Sequence, residues 1–181
     1  MVQIRNVLIG ALAGVASAIS LGGIAHAQAS ASQATQSTVT VFRPITLTKN
    51  TDLSFGTVVR PATGSGTITI SQTDGSRSLS GSGALLSTGP NASPGRATYT
   101  VNGEGGQTFS ISVPANFNMT RSGGSETITV VLTPTATTGT LSNALGQAGS
   151  STFGVGGQIP INDTTASGAY TGSFTTTVAY N

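Results

Sequence analysis

Hydrophobic and small polar residues alternate with a period of two along most of the chain after residue 27. Phe109, Ile111 and Val113, for example, alternate with Thr and Ser residues. A β-strand with one buried face gives this pattern, because successive side chains point to opposite faces of the sheet. The pattern predicts an all-β protein of antiparallel strands. The same alternation recurs in four other runs, which are Ile68–Ile70, Tyr99–Val101, Ile128–Leu132 and Phe174–Tyr180.

Gly-rich turns separate these runs, as in Gly64-Ser65-Gly66 and Gly103-Glu104-Gly105-Gly106. Gly favours such turns because it adopts positive φ at no steric cost. No stretch after residue 27 shows the period of an amphipathic helix. Many short strands at irregular spacing favour a β-sandwich, formed by a single domain over residues 38–181. The weakly patterned segment Thr135–Ser151 is expected to be a loop or lid.

The first 27 residues have the organisation of a secretory signal peptide. Arg5 precedes an uncharged, apolar stretch from Val7 to Ile24, and Ala25-His26-Ala27 follows as a small-x-small cleavage site. The alternative, a membrane anchor, fits less well because Gly and Ser dilute the apolar stretch. We therefore expect cleavage after Ala27, export to the periplasm, cell surface or medium, and no membrane span in the remaining chain.

The composition after residue 27 argues against catalysis. The chain has no Cys, and its single His, His26, is removed with the signal peptide. Ser-His-Asp and Cys-His sites and a zinc site therefore lack the side chains that they need. The bases form no cluster, so nucleic acid is not an expected partner. No metal, cofactor or enzymatic activity is expected. The remaining acids are scattered, and are Asp52, Asp74, Glu104, Glu126 and Asp163.

The start of the exported chain differs from the rest. Residues 28–37 contain only Ala, Ser, Gln and Thr and predict a flexible arm. A short alternating segment, Thr38–Phe42, follows, and Pro44 separates it from Ile45–Thr48. A free sheet edge can accept an extended segment from another chain, so these parts suit assembly by strand addition. The alternative, which spacing alone favours, is that Val39–Thr48 pairs within its own domain.

Two stretches of the sequence carry a resemblance to a known family. The first is Pro44–Val58, which contains Leu53, Phe55 and Gly56, and the second is Gly168–Asn181, which contains Tyr170-Thr171-Gly172. Together they resemble the bacterial domain-of-unknown-function family 4402, from about Ser37 to the end of the chain. The same motifs are more distantly similar to the spore-coat-U-like pilins of archaic chaperone–usher fimbriae.

The resemblance implies an immunoglobulin-like sandwich that lacks its last strand and is exported to the periplasm of a Gram-negative cell. It also implies a periplasmic chaperone and an usher as partners, besides other copies or homologous subunits. The donor strand would consist of Thr38, Val39, Thr40, Val41 and Phe42, with Val39 and Val41 as anchors. The acceptor would be the edge of the last strand, with Phe174, Thr176, Val178 and Tyr180 on one face. Our leading hypothesis is a structural or adhesive fimbrial subunit.

Two other classes of function stay open. A self-contained binding module, such as a carbohydrate-binding sandwich, would need an exposed aromatic platform in its loops. Phe117 and Phe153 are the candidates, because they lie outside the strand rhythm. An enzyme would need two of the five carboxylates to converge.

Overall fold

The computed structural model describes residues 30–90 and 93–181. The predicted signal peptide and its cleavage site lie outside the described residues. Contacts divide the chain into two units, Met1–Val39 and Thr40–Asn181. In the first unit, residues 30–39 are exposed and belong to no strand. Among the residues described, no helix is long and apolar enough to cross a membrane.

The described residues of the second unit contain thirteen strands, and every pairing between them is antiparallel. The all-β antiparallel prediction is confirmed. The strands are β1 (Thr46–Thr51), β2 (Thr57–Val59), β3 (Ser65–Ile70), β4 (Arg77–Gly81), β5 (Ala84–Leu86), β6 (Ala97–Glu104), β7 (Thr108–Ser112), β8 (Asn116–Arg121), β9 (Thr127–Pro134), β10 (Thr138–Thr140), β11 (Ala148–Asn162), β12 (Tyr170–Thr171) and β13 (Thr177–Tyr180).

Eight of these strands form a main sheet with the order β1-β6-β11-β9-β8-β12, to which β3 and β4 are added beside β11. The 15-residue β11 is its centre. Ala148–Val155 pairs with β6, and Gly157–Asn162 pairs with β3. Both neighbours lie on the same edge of β11, because β9 occupies the other edge at Val155–Gln158. The long strand thus joins the two halves of the sheet.

The sequence pattern does not predict β11, because Gly replaces large side chains at the point where the partner of β11 changes from β6 to β3. A Cβ at Gly154 would lie 2.7 Å from the Gln72 carbonyl oxygen, and one at Gly156 would overlap the Ile70 carbonyl oxygen. Both distances are shorter than atoms tolerate, so the close backbone approach requires Gly. The prediction of a loop or lid over Thr135–Ser151 is wrong for β10 and for the start of β11, which lie there, whereas residues 135–137 and 141–147 belong to no strand.

A second, three-stranded sheet has the order β10-β7-β13, and β2 and β5 form a separate two-stranded sheet. Phe109 and Ile111 of β7 share one buried cluster with residues of the main sheet, so both sheets contribute to a single core, as in a sandwich. The predicted alternating runs supply much of that core. Its largest fully buried side chains are Phe109, Ile68, Ile70, Leu141, Val101, Val130 and Val155.

Candidate assembly site

The segment Thr38–Phe42, which we call the donor segment, forms no strand in the structure. The side chains of Val39 and Val41 are exposed to 86% and 79%, and that of Phe42 to 43%. Pairing within the domain begins only at Thr46, where β1 joins β6. The alternative in which Val39–Thr48 pairs within its own domain therefore holds for the part after Pro44 and not for the donor segment.

The chain is held tightly just after the donor segment, at Arg43. The Arg43 N–H and its Nη1 donate to Glu104 Oε2 at 3.3 and 3.0 Å, and its Nη2 donates to the Gly146 carbonyl oxygen at 3.0 Å. The Gly146 N–H donates to the other oxygen of Glu104. Glu104 is only 2% exposed and is the one buried charged residue of the described chain. The Gly146 N–H, and next the Arg43 N–H and guanidinium, lower the pKa of Glu104, whereas its burial raises it.

Tyr180 of the last strand belongs to the same contact. Its hydroxyl accepts a hydrogen bond from the Glu104 N–H at 2.7 Å and donates one to the Arg43 carbonyl oxygen at 2.9 Å. Its ring lies 5.8 Å from that of Phe42. Both backbone groups of Arg43 are therefore bonded to side chains instead of to a neighbouring strand. We call Arg43, Glu104, Gly146 and Tyr180 the Glu104 clasp.

The last strand is shorter than its alternating pattern predicts. Val178 and Tyr180 lie in β13, whereas Phe174 and Thr176 precede it, in a segment (172–176) that pairs with no described strand. All four candidate acceptor side chains are half-buried. Within residues 30–90 and 93–181, only β7 pairs with β13. The Thr176 hydroxyl is buried and makes no hydrogen bond to any described group. The candidate acceptor therefore has unpaired polar groups at the end of the chain.

A cleft of about 790 Å³ opens beside this unpaired segment. Its two walls come from the end of β1 and the chain that follows it, over residues 49–60, and from residues 165–174. Its floor consists of apolar residues of the main sheet, which are Tyr99, Phe117, Met119, Ile128, Ile159 and Ile161. Side chains of the hydrophobic core thus line an opening.

All five family-like motif residues line this cleft, although they are far apart in sequence; they are Leu53, Phe55, Gly56, Tyr170 and Gly172. Phe55 is 7% exposed. The Tyr170 hydroxyl donates to the Ala166 carbonyl oxygen at 2.8 Å and so holds the second wall in place. A Cβ at Gly172 would lie 2.6 Å from the Asn118 carbonyl oxygen, so only Gly allows this wall to approach β8.

Charged side chains lie at the rim of the cleft. Arg60 Nη1 donates to the Thr165 carbonyl oxygen at 3.0 Å and so links one wall to the other. Lys49 Nζ lies 2.5 Å from Asp52 Oδ1, and its hydrogen bond to Asp52 raises the pKa of Lys49. The Lys49–Asp52 ion pair is exposed, so it contributes little to stability.

The candidates for an aromatic platform and for catalysis are placed differently. Phe153 does not provide an exposed platform, since it is 7% exposed and stacks on Tyr99 at a centroid distance of 5.0 Å. Phe117 is half-buried and packs against Phe174 at 5.2 Å. The five carboxylates contact five separate sets of partners. These are Lys49 for Asp52, Ser71 and Ser76 for Asp74, the clasp for Glu104, Arg121 for Glu126 and the Gly64 N–H for Asp163.

Sequence reasoning missed the Glu104 clasp. Glu104 was interpreted as part of a Gly-rich turn, and Arg43 and Tyr180 are 61 and 76 residues away from it. Nothing in the spacing of the sequence joins these positions. The only local signal is an acid at the end of a strand whose alternate side chains are buried.

An antiparallel all-β domain with a cleft onto its core is the class of protein that these features define. The chain belongs to the family described as Domain of unknown function (DUF4402), which it matches over residues 45–180. No curated protein and no solved structure matches the chain. The family match covers all strands from β1 to β13 and begins after the donor segment.

Proposed function

We propose that this protein is an exported structural or adhesive subunit, of fimbrial type, whose copies or homologous subunits assemble by β-strand addition. The donor segment of one copy would enter the cleft and pair with the unpaired wall of the next. The observation that carries the proposal is the exposure of Val39 and Val41 in a strand-like alternating segment that pairs with no strand in the described part of the chain. Exposed, unpaired apolar strands are unfavourable in an isolated protein and are typical of interaction segments.

The acceptor side supports the same proposal. Its wall over residues 172–176 has no strand partner among the described residues, and the buried hydroxyl of Thr176 has no hydrogen-bond partner there. A buried polar group without a partner is costly, so an incoming backbone that offers one would be favoured. The cleft floor would bury the two Val side chains against Phe117, Met119 and Ile128. On this proposal the domain is an immunoglobulin-like sandwich that lacks one strand.

Export and assembly complete the proposal. The predicted signal peptide would take the chain to the periplasm and on to the cell surface, since fibres of this kind are extracellular. A periplasmic chaperone would cover the cleft before assembly, and an usher would exchange it for the donor segment. An open apolar cleft otherwise favours aggregation, which is the physical reason to expect such a partner.

Deletion of the donor segment tests the proposal. The exported chain, residues 28–181, should form ladders that persist in detergent without heating, and deletion of residues 28–42 should abolish them. Deletion of residues 28–37 alone is the matched control. It removes the arm but keeps Val39 and Val41, so its ladder should persist. Ladders from the chain that lacks residues 28–42 would show that the donor assignment is wrong.

A second candidate is a self-contained binding module. The cleft volume of about 790 Å³ falls in the range of small-molecule pockets, which favours this alternative. Of the two aromatic candidates from the sequence, only Phe117 lines the cleft, because Phe153 is buried elsewhere in the core. The two candidates differ in one measurement: glycan binding by a monomer that is lost in Phe117→Ala would support the binding module.

A further inference from the structure

The direction of β1 places the Glu104 clasp and the cleft at opposite ends of the same strands. In the antiparallel pairing of β1 with β6, Thr46 lies opposite Asn102, and Lys49 lies opposite Tyr99. Tyr99 and Lys49 line the cleft, whereas Glu104 ends β6 at the other side. The chain therefore runs from the clasp toward the cleft along β1. The donor segment precedes the clasp and so leaves the domain at the end away from its own cleft.

The donor segment is also too short to turn back into that cleft. Glu104 is five residues after Tyr99 along β6, which corresponds to about 17 Å at ~3.4 Å per residue. Val41 is two residues from Arg43 and reaches at most about 7 Å, and Val39, four residues away, reaches at most about 14 Å. With Arg43 held beside Glu104, neither anchor reaches the floor around Tyr99.

We propose that the Glu104 clasp fixes the exit of the donor segment and directs Val39 and Val41 to the cleft of another copy instead of their own. This inference rests on the proposed function and names Glu104 as a positioning residue for assembly. Glu104 suits the role because a buried carboxylate requires hydrogen bonds to remain charged. Those hydrogen bonds come from Arg43, directly after the donor segment, and from the N–H of Gly146. Tyr180 adds the end of the chain to the same contact.

The absence of Cys from the chain allows a direct test by spin labelling. Thr40 and Ser173 are exposed positions, one in the donor segment and one in the cleft wall. Both are changed to Cys, labelled, and the distance distribution is measured by electron double resonance. The labelled chain also carries Val39→Ser and Val41→Ser, which remove the anchors. An excess of unlabelled chain with the same two substitutions is added, so that the measured distances come from labels within one molecule.

The clasp predicts a narrow distribution whose mean exceeds the ~17 Å strand span given above. Glu104→Ala should broaden it at least twofold, and so should Tyr180→Phe, which keeps the ring and removes only the hydroxyl bonded to Arg43. The matched control is Glu126→Ala, which removes an ion pair of similar length, with Arg121 at 2.8 Å, and should leave the width unchanged.

Each outcome decides the inference separately from the proposed function. A broad distribution in the parent chain, or equal widths in the parent and Tyr180→Phe, would overturn the clasp even if ladders form. A short distance, with the label at residue 40 beside residue 173, would show that the donor segment occupies its own cleft and would also overturn it. A narrow, long distribution together with an exported chain that forms no ladder would retain the clasp and refute assembly.

Discussion

The energetic contribution of the two anchor residues is the prediction that the structure defines best. Val39→Ala and Val41→Ala each remove two methyl groups. Burial of one such carbon group contributes about 0.8 kcal/mol to the free energy of docking. About four-fifths of each Val side chain is exposed before assembly and available for burial. The double substitution should therefore weaken docking by roughly 2.5 kcal/mol, which is about a 70-fold increase in Kd. The free energy of unfolding of the unassembled chain should change by less than about 0.5 kcal/mol, because both side chains are exposed there.

A peptide-binding assay measures this effect without the complication of polymer formation. A fluorescent peptide of residues 37–43 is titrated with the chain that begins at Arg43, and its anisotropy gives Kd. The control peptide carries Thr38→Ala and Thr40→Ala, which leave the anchors intact and should change Kd only a few-fold. Equal affinities of the parent and doubly substituted Val peptides would refute the reasoning. An equal loss in the Thr control would show that the anchors have been assigned to the wrong face.

Two further predictions concern the fold. Gly156→Ala should lower the free energy of unfolding in urea by about 2 kcal/mol or more, because its Cβ would overlap the Ile70 carbonyl oxygen. The control is Gly95→Ala, whose Cβ would have no atom within 4 Å and which should be nearly neutral. Equal effects of the two substitutions would contradict the account of β11. Hydrogen-bond donors lower the pKa values of Glu104 and Glu126, so the stabilisation is complete above the usual Glu pKa of about 4.3 and is lost as the pH falls through the folded-state pKa values. The Tm should therefore decrease below about pH 4, and a Tm that stays constant there would contradict this assignment.

The sequence predicts the strands whose side chains alternate cleanly and misses those in which backbone contact replaces side-chain packing. Ile68, Tyr99, Phe109 and Ile128 all lie in strands at the buried positions that the period-two pattern gives them. The strand β11 was missed because Gly154, Gly156 and Gly157 interrupt its pattern. Those Gly residues are required by neighbouring backbones, which only the tertiary structure reveals.

The candidate site divides in the same way. The motif residues around Phe55 and Tyr170 were identified by resemblance, and the structure brings them together at one cleft. The sequence pattern predicts a final strand from Phe174, but strand pairing begins at Thr177. Alternation of apolar and polar residues indicates which face of a segment is buried, and it does not indicate whether the segment has a neighbouring strand. The Glu104 clasp depends on contacts between distant residues, so no local pattern predicts it.

Mixing two forms of the chain tests assembly by strand addition most directly. A chain without residues 28–42 keeps the cleft and lacks the donor segment, so it can accept a neighbour but cannot donate to one. When it is refolded with the exported chain in increasing ratio, each polymer should contain at most one such chain, at its end. The mean length, measured by light scattering after size separation, should then fall as the ratio rises. Polymers of unchanged length, or ones that contain the shortened chain throughout, would contradict the account.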